Sequence, residues 1–447
     1  MKPSSTLRLV PAALIGLWAG TAGASGFQLL EQNASGIGNA FAGSAAVAEN
    51  ASTVFFNPAG MTQLEGRNVS FGAAAINTSY KFSNRSSNVA TGLTTAGDGG
   101  DGGGLGVVPN GYFSMAVTKD LYFGLGIGAP FGLKTEYDNP WMGAAQSLKF
   151  DVQTLNVNPS VAYRVNDTVS LGFGLDWQKL DATYKRLATT GLMPTGLPAP
   201  YPAYIDGSTV ISRLKINDDA WGWNIGALFN VSPTTKVGVS YRSRVKYNAT
   251  GDVTLSSNGS AAGATALAIL NGGGYASNVK ADIELPDTFI ASATQKLDDK
   301  WEMLGDISWT GWSSIPKIDV IRTSGLQNTR TAQTLNTDFR DTWRFALGAN
   351  YSLREDVKLK FGIAYDQTPV KGADTRLVSL PDNNRTWFSF GAQWLPTKGS
   401  VVDVGAAYLY IKDPSIHNDQ TTSGRGLIDG TYKDSCWILG AQYSMQF

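Results

Sequence analysis

The chain has 447 residues, and its 36 Lys and Arg balance 36 Asp and Glu, so a general electrostatic attraction to nucleic acid is not supported. Only 16% of the residues are charged, whereas 51 are Gly and 11% are aromatic, a composition that disfavours an ordinary soluble enzyme. One Cys excludes an internal disulfide and one His excludes a His-rich metal site.

The first 24 residues differ from the rest of the chain. Lys2 and Arg8 precede an apolar stretch at residues 9–19, and Ala22-Gly23-Ala24 supplies the small residues that a signal peptidase requires. The apolar stretch is too short to cross a hydrocarbon core of about 30 Å. We therefore predict a signal peptide over residues 1–24 and export of the chain.

Residues 25–66 show no strand pattern. Residues 35–48 are mostly small, and Asn57-Pro58-Ala59-Gly60 is a turn signal that ends any helix before it. Small side chains allow close packing inside a larger structure. We therefore predict that residues 25–66 form a compact plug rather than a domain of their own.

Apolar and polar side chains alternate with a period of two in many later segments. At the C-terminus Trp437, Leu439 and Tyr443 fall on one face, while Gly440 and Gln442 fall on the other. Alternation alone fits a soluble sandwich, with the apolar face inward, as well as a membrane barrel, with that face outward.

Connection lengths favour the barrel. Six short turns are predicted near residues 118–120, 165–167, 231–234, 297–300, 353–356 and 396–399, and seven long connections at 82–109, 137–148, 187–209, 252–276, 313–334, 369–384 and 412–431. Short turns on one side and long loops on the other are typical of bacterial outer-membrane barrels. We predict an all-β fold: a fourteen-stranded antiparallel transmembrane β-barrel over residues 67–447, with residues 25–66 as a hatch inside its lumen.

The chain also resembles the FadL-type outer-membrane transporters of long-chain fatty acids and other hydrophobic compounds. The similar segments are residues 25–32, 34–38, 57–61, 221–226, 240–243, 285–286, 309–313 and 339–344, with the terminal Phe447. The ordered set covers the mature chain, although no single motif is diagnostic.

The resemblance implies diffusive uptake of a hydrophobic molecule, with long-chain fatty acids as the first candidates. Ligand would be captured at external loops, enter an internal pocket and leave sideways into lipid, which an apolar solute prefers by about 0.8 kcal/mol per methylene. The resemblance places the lateral opening in the third strand. There Pro130 cannot donate to a ladder and Gly132 marks a kink, although the strand could also simply end at Pro130.

The resemblance also implies ligand contacts. Phe27 matches a hatch residue that reaches the pocket, and Arg186 matches a position that meets a fatty-acid carboxylate. The second basic position of the family falls near Leu335, so Arg330 or Arg340 would have to replace it, and we take Arg340 as the candidate. Because Leu cannot neutralise a carboxylate, uptake of aromatic hydrocarbons, as in the toluene-uptake branch, stays open.

Other features suggest further roles. Residues 192–201 and 264–270 are apolar loop segments that could collect solutes. Asp98 and Asp101 could offer carboxylates to Ca²⁺, and His417 is the sole conventional base for a hydrolase. We nevertheless expect no enzymatic activity, no cofactor and no metal.

The expected partners are a hydrophobic ligand, outer-membrane lipid and the barrel-assembly machinery. The last would recognise the C-terminal strand that ends in Phe447. We expect a monomer.

Overall fold

The computed structural model describes residues 26–90, 97–189, 209–257 and 259–447. The predicted signal peptide over residues 1–24 and the apolar loop at residues 192–201 lie outside the described residues. No helix in the described part of the chain is long and apolar enough to cross a membrane.

Fourteen antiparallel strands form one sheet that closes on itself, and five of them are interrupted once. The strands are β1 (Arg67–Asn84), β2 (Gly104–Ala116), β3 (Leu121–Gly128 and Gly132–Glu136), β4 (Lys149–Arg164), β5 (Val169–Thr189), β6 (Thr209–Ser232), β7 (Thr235–Arg242 and Val245–Ser257), β8 (Ser277–Leu285 and Thr288–Lys296), β9 (Trp301–Thr310 and Ile318–Arg322), β10 (Thr331–Leu335 and Thr342–Arg354), β11 (Val357–Asp366), β12 (Arg385–Thr397), β13 (Ser400–Ile411) and β14 (Gly426–Gln446). The ring closes because β1 pairs with both β2 and β14. The predicted barrel is confirmed.

Helical segments are short and lie outside the strands. They are α1 (Thr53–Phe56), α2 (Ala261–Gly272) and the 3-10 segments Ile37–Asn39, Pro58–Gln63, Trp312–Ser314 and Thr421–Ser423, while the short strands Asn88–Val89 and Ser415–Asp419 pair with the outer end of β14. The apolar loop residues 264–270 fall in α2, where Ala266 and Leu270 pack against Val210 of β6. Part of this apolar surface is therefore covered by the barrel wall.

Side chains along the strands alternate between the exterior and the interior of the barrel. In β14 Trp437 and Leu439 are 53% and 61% exposed, whereas Ile438 and Gln442 are buried. Other exposed apolar side chains are Phe71, Leu171, Ile225, Phe289, Ile307 and Leu347. An apolar exterior over a partly polar interior is the arrangement of an outer-membrane barrel, so the apolar face contacts lipid.

The connections follow the predicted order, but strands extend into several of the predicted long loops. All six short turns join successive strands, but residues 313–334, predicted as a loop, contain the outer pieces of β9 and β10. Their outward face carries Asp319 and Thr334, which hydrogen bond at 2.7 Å, as well as Ile321. These pieces extend the wall beyond the membrane, so they lack the apolar alternation by which spanning strands are recognised.

Residues 26–66, called the inner segment below, lie within the ring. The backbone N–H of Ala34 donates to Gln442 of β14 at 3.1 Å, and that of Ala45 donates to Ser292 of β8 at 3.0 Å. These contacts reach strands that are far apart around the barrel. Most side chains of the segment are buried, so it fills space that the strands enclose.

Glycines of the wall allow the backbone of the inner segment to approach closely. A Cβ atom at Gly362 of β11 would overlap the backbone of Asn39, and one at Gly238 of β7 would overlap the carbonyl of Ala45. Small residues on both sides therefore bring the two backbones into direct contact.

We predict that Gly362→Val destabilises this packing. Because the added side chain overlaps Asn39, we expect a loss of about 1–3 kcal/mol of stability. The midpoint temperature at which the folded barrel loses its heat-modifiable mobility on SDS gels should fall by several degrees. Gly305→Val is the matched control, since a Cβ atom there meets only Leu347, at 3.9 Å. Equal midpoints for the two variants would contradict the packing account.

Candidate functional site

An apolar cavity of about 720 Å³ lies on the loop side of the lumen. Among the described residues that line this upper cavity none is charged, and Thr183, Tyr184 and Thr337 alone have polar side-chain atoms. The other lining residues are Phe27, Phe150, Val152, Leu180, Ala182, Leu214, Ile216, Ile283, Leu285, Ile318, Val320, Leu335, Phe339, Leu377 and Leu380. A lining of this character suits an apolar ligand.

Arg186 lies at the rim of the upper cavity, two residues beyond Tyr184. Its Nε donates to Oε1 of Gln333 at 3.1 Å and its Nη1 donates to the carbonyl of Leu187 at 3.3 Å. Gln333 belongs to β10, across the barrel mouth from β5, and is two residues from the cavity residue Leu335. The guanidinium therefore spans the space above the apolar lining.

Two further arginines, Arg322 and Arg425, lie close enough to Arg186 for their positive charges to repel its positive charge. Arg322 donates to the carbonyls of Tyr275 and Thr331, and Arg425 donates to Oε1 of Gln420 at 3.3 Å. Burial lowers the pKa of Arg425. Within the described ranges, none of these three arginines forms an ion pair with a carboxylate.

The structure corrects the expected second basic residue. Arg340 is exposed, its Nε donates to the carbonyl of Thr368 at 3.2 Å, and it lines neither cavity. Arg330 is also exposed. Arg322 and Arg425 were missed because they follow no local motif: the fold, rather than their spacing, brings them to Arg186.

A second cavity, of about 940 Å³, lies nearer the turn side. This lower cavity is more polar, and its lining includes Arg242, which pairs with Asp176, and Arg344, which donates to the carbonyl of Ala40 at 2.6 Å. Pro130 and Phe131 also line it. The lower cavity is therefore next to the predicted kink in β3.

The start of the inner segment separates the two cavities. Phe27 lines the upper cavity, whereas Gln28 and Leu29 line the lower cavity. The ring of Phe27 contacts the rings of Trp312 and Phe131, at centroid distances of 4.9 and 6.0 Å. Phe27 thus lies at the boundary between the two cavities, and its role as a ligand contact stays a prediction.

Asp382 holds this end of the inner segment. The backbone N–H of Gly26 donates to Oδ2 of Asp382 at 3.0 Å, and the same oxygen accepts from Thr368 Oγ1 at 2.6 Å. Arg385 forms an ion pair with the other oxygen. Asp382 lies in a long loop, where no local sequence signal marks it.

The wall is interrupted at residues 129–131, between the two pieces of β3. There the N–H of Leu29 donates to the carbonyl of Pro130, and the N–H of Gly132 donates to the carbonyl of Phe27, both at 2.8 Å. The inner segment thus supplies the backbone partners that a neighbouring strand would otherwise supply. A strand piece ends at Gly128 and another begins at Gly132, and both pair with β4. Lateral opening at this interruption stays a prediction.

The interruption leaves part of β2 without a partner on one side. β2 pairs with β3 only from Gly111 to Ala116, although it pairs with β1 from Gly104 onward. The next described contact across this gap is from the N–H of Glu136 to the carbonyl of Gly102, at 3.0 Å. A gap in the ladder therefore lies beside the lower cavity.

The turn motif Asn57-Pro58-Ala59 fixes the far end of the inner segment. Asn57 Nδ2 donates to the carbonyls of Ala45 and Ala227, at 2.7 and 3.0 Å, and Asn57 Oδ1 accepts from the N–H of Ala59 at 3.1 Å. The side chain thus caps the helix that starts at Pro58 and ties it to β6.

A buried ion cluster fastens the middle of the inner segment. Lys360 Nζ of β11 lies 2.6 Å from Oε1 of Glu49 and 3.0 Å from Oδ1 of Asp403, and it donates to the carbonyl of Ser35 at 3.1 Å. Removal of one member would leave a buried charge unpaired, which is strongly destabilising.

The Asp98–Asp101 loop is held by its own hydrogen bonds. Asp101 accepts from Ser79 Oγ at 2.6 Å and from the N–H groups of Tyr80 and Gly103 at 2.8 and 3.0 Å. Although burial opposes it, these bonds lower the pKa of Asp101. The described residues contain no cluster of three or more His, Cys, Asp or Glu side chains suited to a metal ion.

His417 lies at the outer surface, where it pairs with Asp429. Its Nδ1 is 2.6 Å from Oδ2 of Asp429, and Arg85 Nε is 2.6 Å from the other carboxylate oxygen. The three residues join separate outer segments.

Comparisons with known proteins agree with this geometry. Residues 15–447 match the family described as outer membrane protein transport protein (OMPP1/FadL/TodX). The chain is 29% identical to the long-chain fatty acid transport protein of Escherichia coli, over 98% of this chain and 97% of that protein.

Solved structures share the fold. A Pseudomonas aeruginosa FadL homologue matches with a TM-score of 0.86 at 21% identity, covering 95% of this chain and all of that one. The Ralstonia pickettii toluene transporter TbuX matches with a TM-score of 0.67 at 18% identity, covering 94% and 100%. The chain therefore belongs to the FadL-type family of outer-membrane transporters for hydrophobic compounds.

Proposed function

We propose that this protein takes up long-chain fatty acids by diffusion across the outer membrane. The observation that carries the proposal is the arginine group, Arg186, Arg322 and Arg425, at the rim of an apolar cavity. Such a site offers charge-assisted hydrogen bonds to a carboxylate and apolar surface to a long acyl chain.

The acyl chain supplies most of the driving force. Transfer of each methylene from water into the upper cavity contributes about 0.8 kcal/mol. The arginines then orient the molecule, with its carboxylate toward the mouth. The carboxylate accepts hydrogen bonds from Arg186, which a planar guanidinium can donate in pairs.

In our proposal the inner segment acts as a hatch. Phe27 closes the floor of the upper cavity, and its displacement would join that cavity to the lower one. The contact of Gly26 with Asp382 sets the resting position of Phe27. Because residues 27–29 also pair with residues 130–132, movement of Phe27 would change the partners at the gap in the wall.

The gap between β2 and β3 is the proposed exit. An acyl chain that reaches the lower cavity lies beside Pro130 and Phe131, which line it. Lateral release lets the chain pass directly into lipid without crossing a water-filled channel. Phe447 pairs with Arg67 at the β1–β14 seam, and its recognition by the assembly machinery, like a monomeric state, stays a prediction.

Aromatic hydrocarbons are the second candidate ligands. The observation in their favour is the upper cavity itself, whose lining carries no charge and could hold a neutral molecule without the arginines. The two candidates differ in whether binding depends on the arginine group.

We predict that Arg186→Gln combined with Arg425→Gln weakens binding of a long-chain fatty acid by about 10-fold or more, because charge-assisted hydrogen bonds contribute about 1.5–3 kcal/mol. Binding of the alcohol with the same chain length should change little. Both affinities can be measured by displacement of a fluorescent lipid from the purified protein.

Arg340→Gln is the matched control and should leave both affinities unchanged, since Arg340 lines neither cavity. An equal loss of affinity for the acid and for the alcohol in the double variant would contradict carboxylate recognition. Strong binding of toluene with no binding of the acid would favour the second candidate.

We also predict that Pro130→Val combined with Gly132→Val slows uptake. Val can donate to a ladder and favours regular strand, so the change should extend β3 toward β2. Uptake of radiolabelled fatty acid by cells should fall, while the amount of folded barrel stays the same. Pro159→Val with Gly305→Val makes the same exchange in the continuous wall and should have no effect. Unchanged uptake in the first variant would remove the argument for lateral exit.

A further inference from the structure

The wall is also interrupted between β8 and β9. The inner pieces of these strands pair up to Thr288 and Thr310, and pairing resumes only at Lys280 with Ile321. Two described contacts cross the interval: the N–H of Gly311 donates to the carbonyl of Asp287 at 3.0 Å, and Ser314 Oγ donates to the carbonyl of Glu284 at 2.9 Å.

A cavity of about 610 Å³ opens in this interval and is called the notch below. Two lysines and two carboxylates line its outer rim, namely Lys246, Lys317, Asp282 and Glu284, while Ile283, Ile315 and Ile318 line its apolar side. Ile283 and Ile318 also line the upper cavity. The same two side chains therefore form part of both walls, which makes them the partition between the notch and the upper cavity.

The charged rim places the notch just outside the hydrocarbon layer. Tyr241 of β7 and Trp309 of β9, on the outward face, precede it on the turn side, and such aromatics mark the membrane interface. Beyond them, Lys246 pairs with Glu284 at 3.3 Å and Lys317 with Asp319 at 2.7 Å. This is the level of lipid headgroups, where an amphiphile in the outer leaflet keeps its polar end.

We propose that the notch is a side entrance through which a long-chain amphiphile in the outer-leaflet headgroup layer passes its acyl chain into the upper cavity. The proposal rests on the proposed function and names a second source of the same ligand. Rotation of Ile283 and Ile318 opens the partition, and Lys246 and Lys317 offer their ammonium groups to the carboxylate at the rim. No strand pairing has to break, because the ladder is already absent there.

The interval is also linked to the hatch. Trp312, in the 3-10 segment that fills the break, is buried against Phe27, Phe131 and Phe339. An acyl chain that enters beside Ile315 therefore arrives close to Phe27 and to the aromatic group that holds it.

The test blocks the notch from outside in the full-length protein. Lys317→Cys places a thiol on the rim, where the native side chain is 61% exposed, and a bulky maleimide then fills the opening. Lys215→Cys, on the exposed outer face of β6 and outside the notch lining, is the matched control. The native Cys436 is fully buried and should not react.

Palmitate and hexadecanol are delivered from phosphatidylcholine donor vesicles to proteoliposomes that contain each variant. Labelling of Lys317→Cys should at least halve the entry rate of a probe, and labelling of Lys215→Cys should leave it unchanged. Equal rates before and after labelling of Lys317→Cys would overturn the side entrance, while fatty-acid uptake itself would stand.

Two further outcomes distinguish a failure of the side entrance from a failure of fatty-acid uptake. Entry of hexadecanol without palmitate would contradict fatty-acid uptake, yet the effect of the label on hexadecanol would still decide the side entrance. Ile283→Ala combined with Ile318→Ala should speed entry at least twofold, and a label at position 317 should abolish that gain. If the entry rate stays raised after labelling, the route lies elsewhere and the proposal is overturned.

Discussion

Backbone hydrogen bonding is the constraint on which the rest of this structure depends. In hydrocarbon a peptide group has no water to bond, so each strand needs a partner on both sides and the sheet must close. The pairing of β1 with β14 meets this requirement. Wherever the ladder is broken, another part of the chain has to supply the partners, and those places are where the wall can carry function.

Two of the breaks in the described wall adjoin Phe27, and each is satisfied differently. At residues 129–131 the inner segment bonds to β3, so the partners of the kink belong to the element that also carries Phe27. Between β8 and β9 the 3-10 segment Trp312–Ser314 fills the interval, and its Trp312 packs against the same Phe27. Both breaks are therefore in direct contact with Phe27, the residue that separates the upper cavity from the lower one.

The strands were predictable because lipid on one side and a packed lumen on the other impose a period of two over long segments. The six turns were equally predictable, since short polar connections leave little conformational choice. The outer pieces of β9 and β10 were not, because beyond the membrane their outward face can be polar while their inward face lines the apolar cavity. Pro130, which has no N–H to donate, and Gly132 predicted an interruption in β3. No sequence signal indicated the break before Trp312.

The candidate ligand site was predicted only in part. Arg186 was predicted through family resemblance, whereas its proposed companions come from a strand end and a loop that are distant in sequence. The expected Arg340 is exposed and lines neither cavity. Leu335 now has a physical explanation, since it lines the apolar cavity where a basic side chain would be costly. In our proposal the positive charges are those of Arg186, Arg322 and Arg425, at the rim of that cavity.

The central claim is that a fatty acid binds with its carboxylate at the arginine group and its chain in the upper cavity. The most direct test is a crystal structure of the full-length protein with a chain-brominated fatty acid, in which anomalous scattering locates the bromine atoms. The account predicts bromine between Leu180 and Leu335, with the carboxylate within hydrogen-bonding distance of Arg186. Bromine only outside the upper cavity, or a carboxylate that faces away from the arginines, would contradict it.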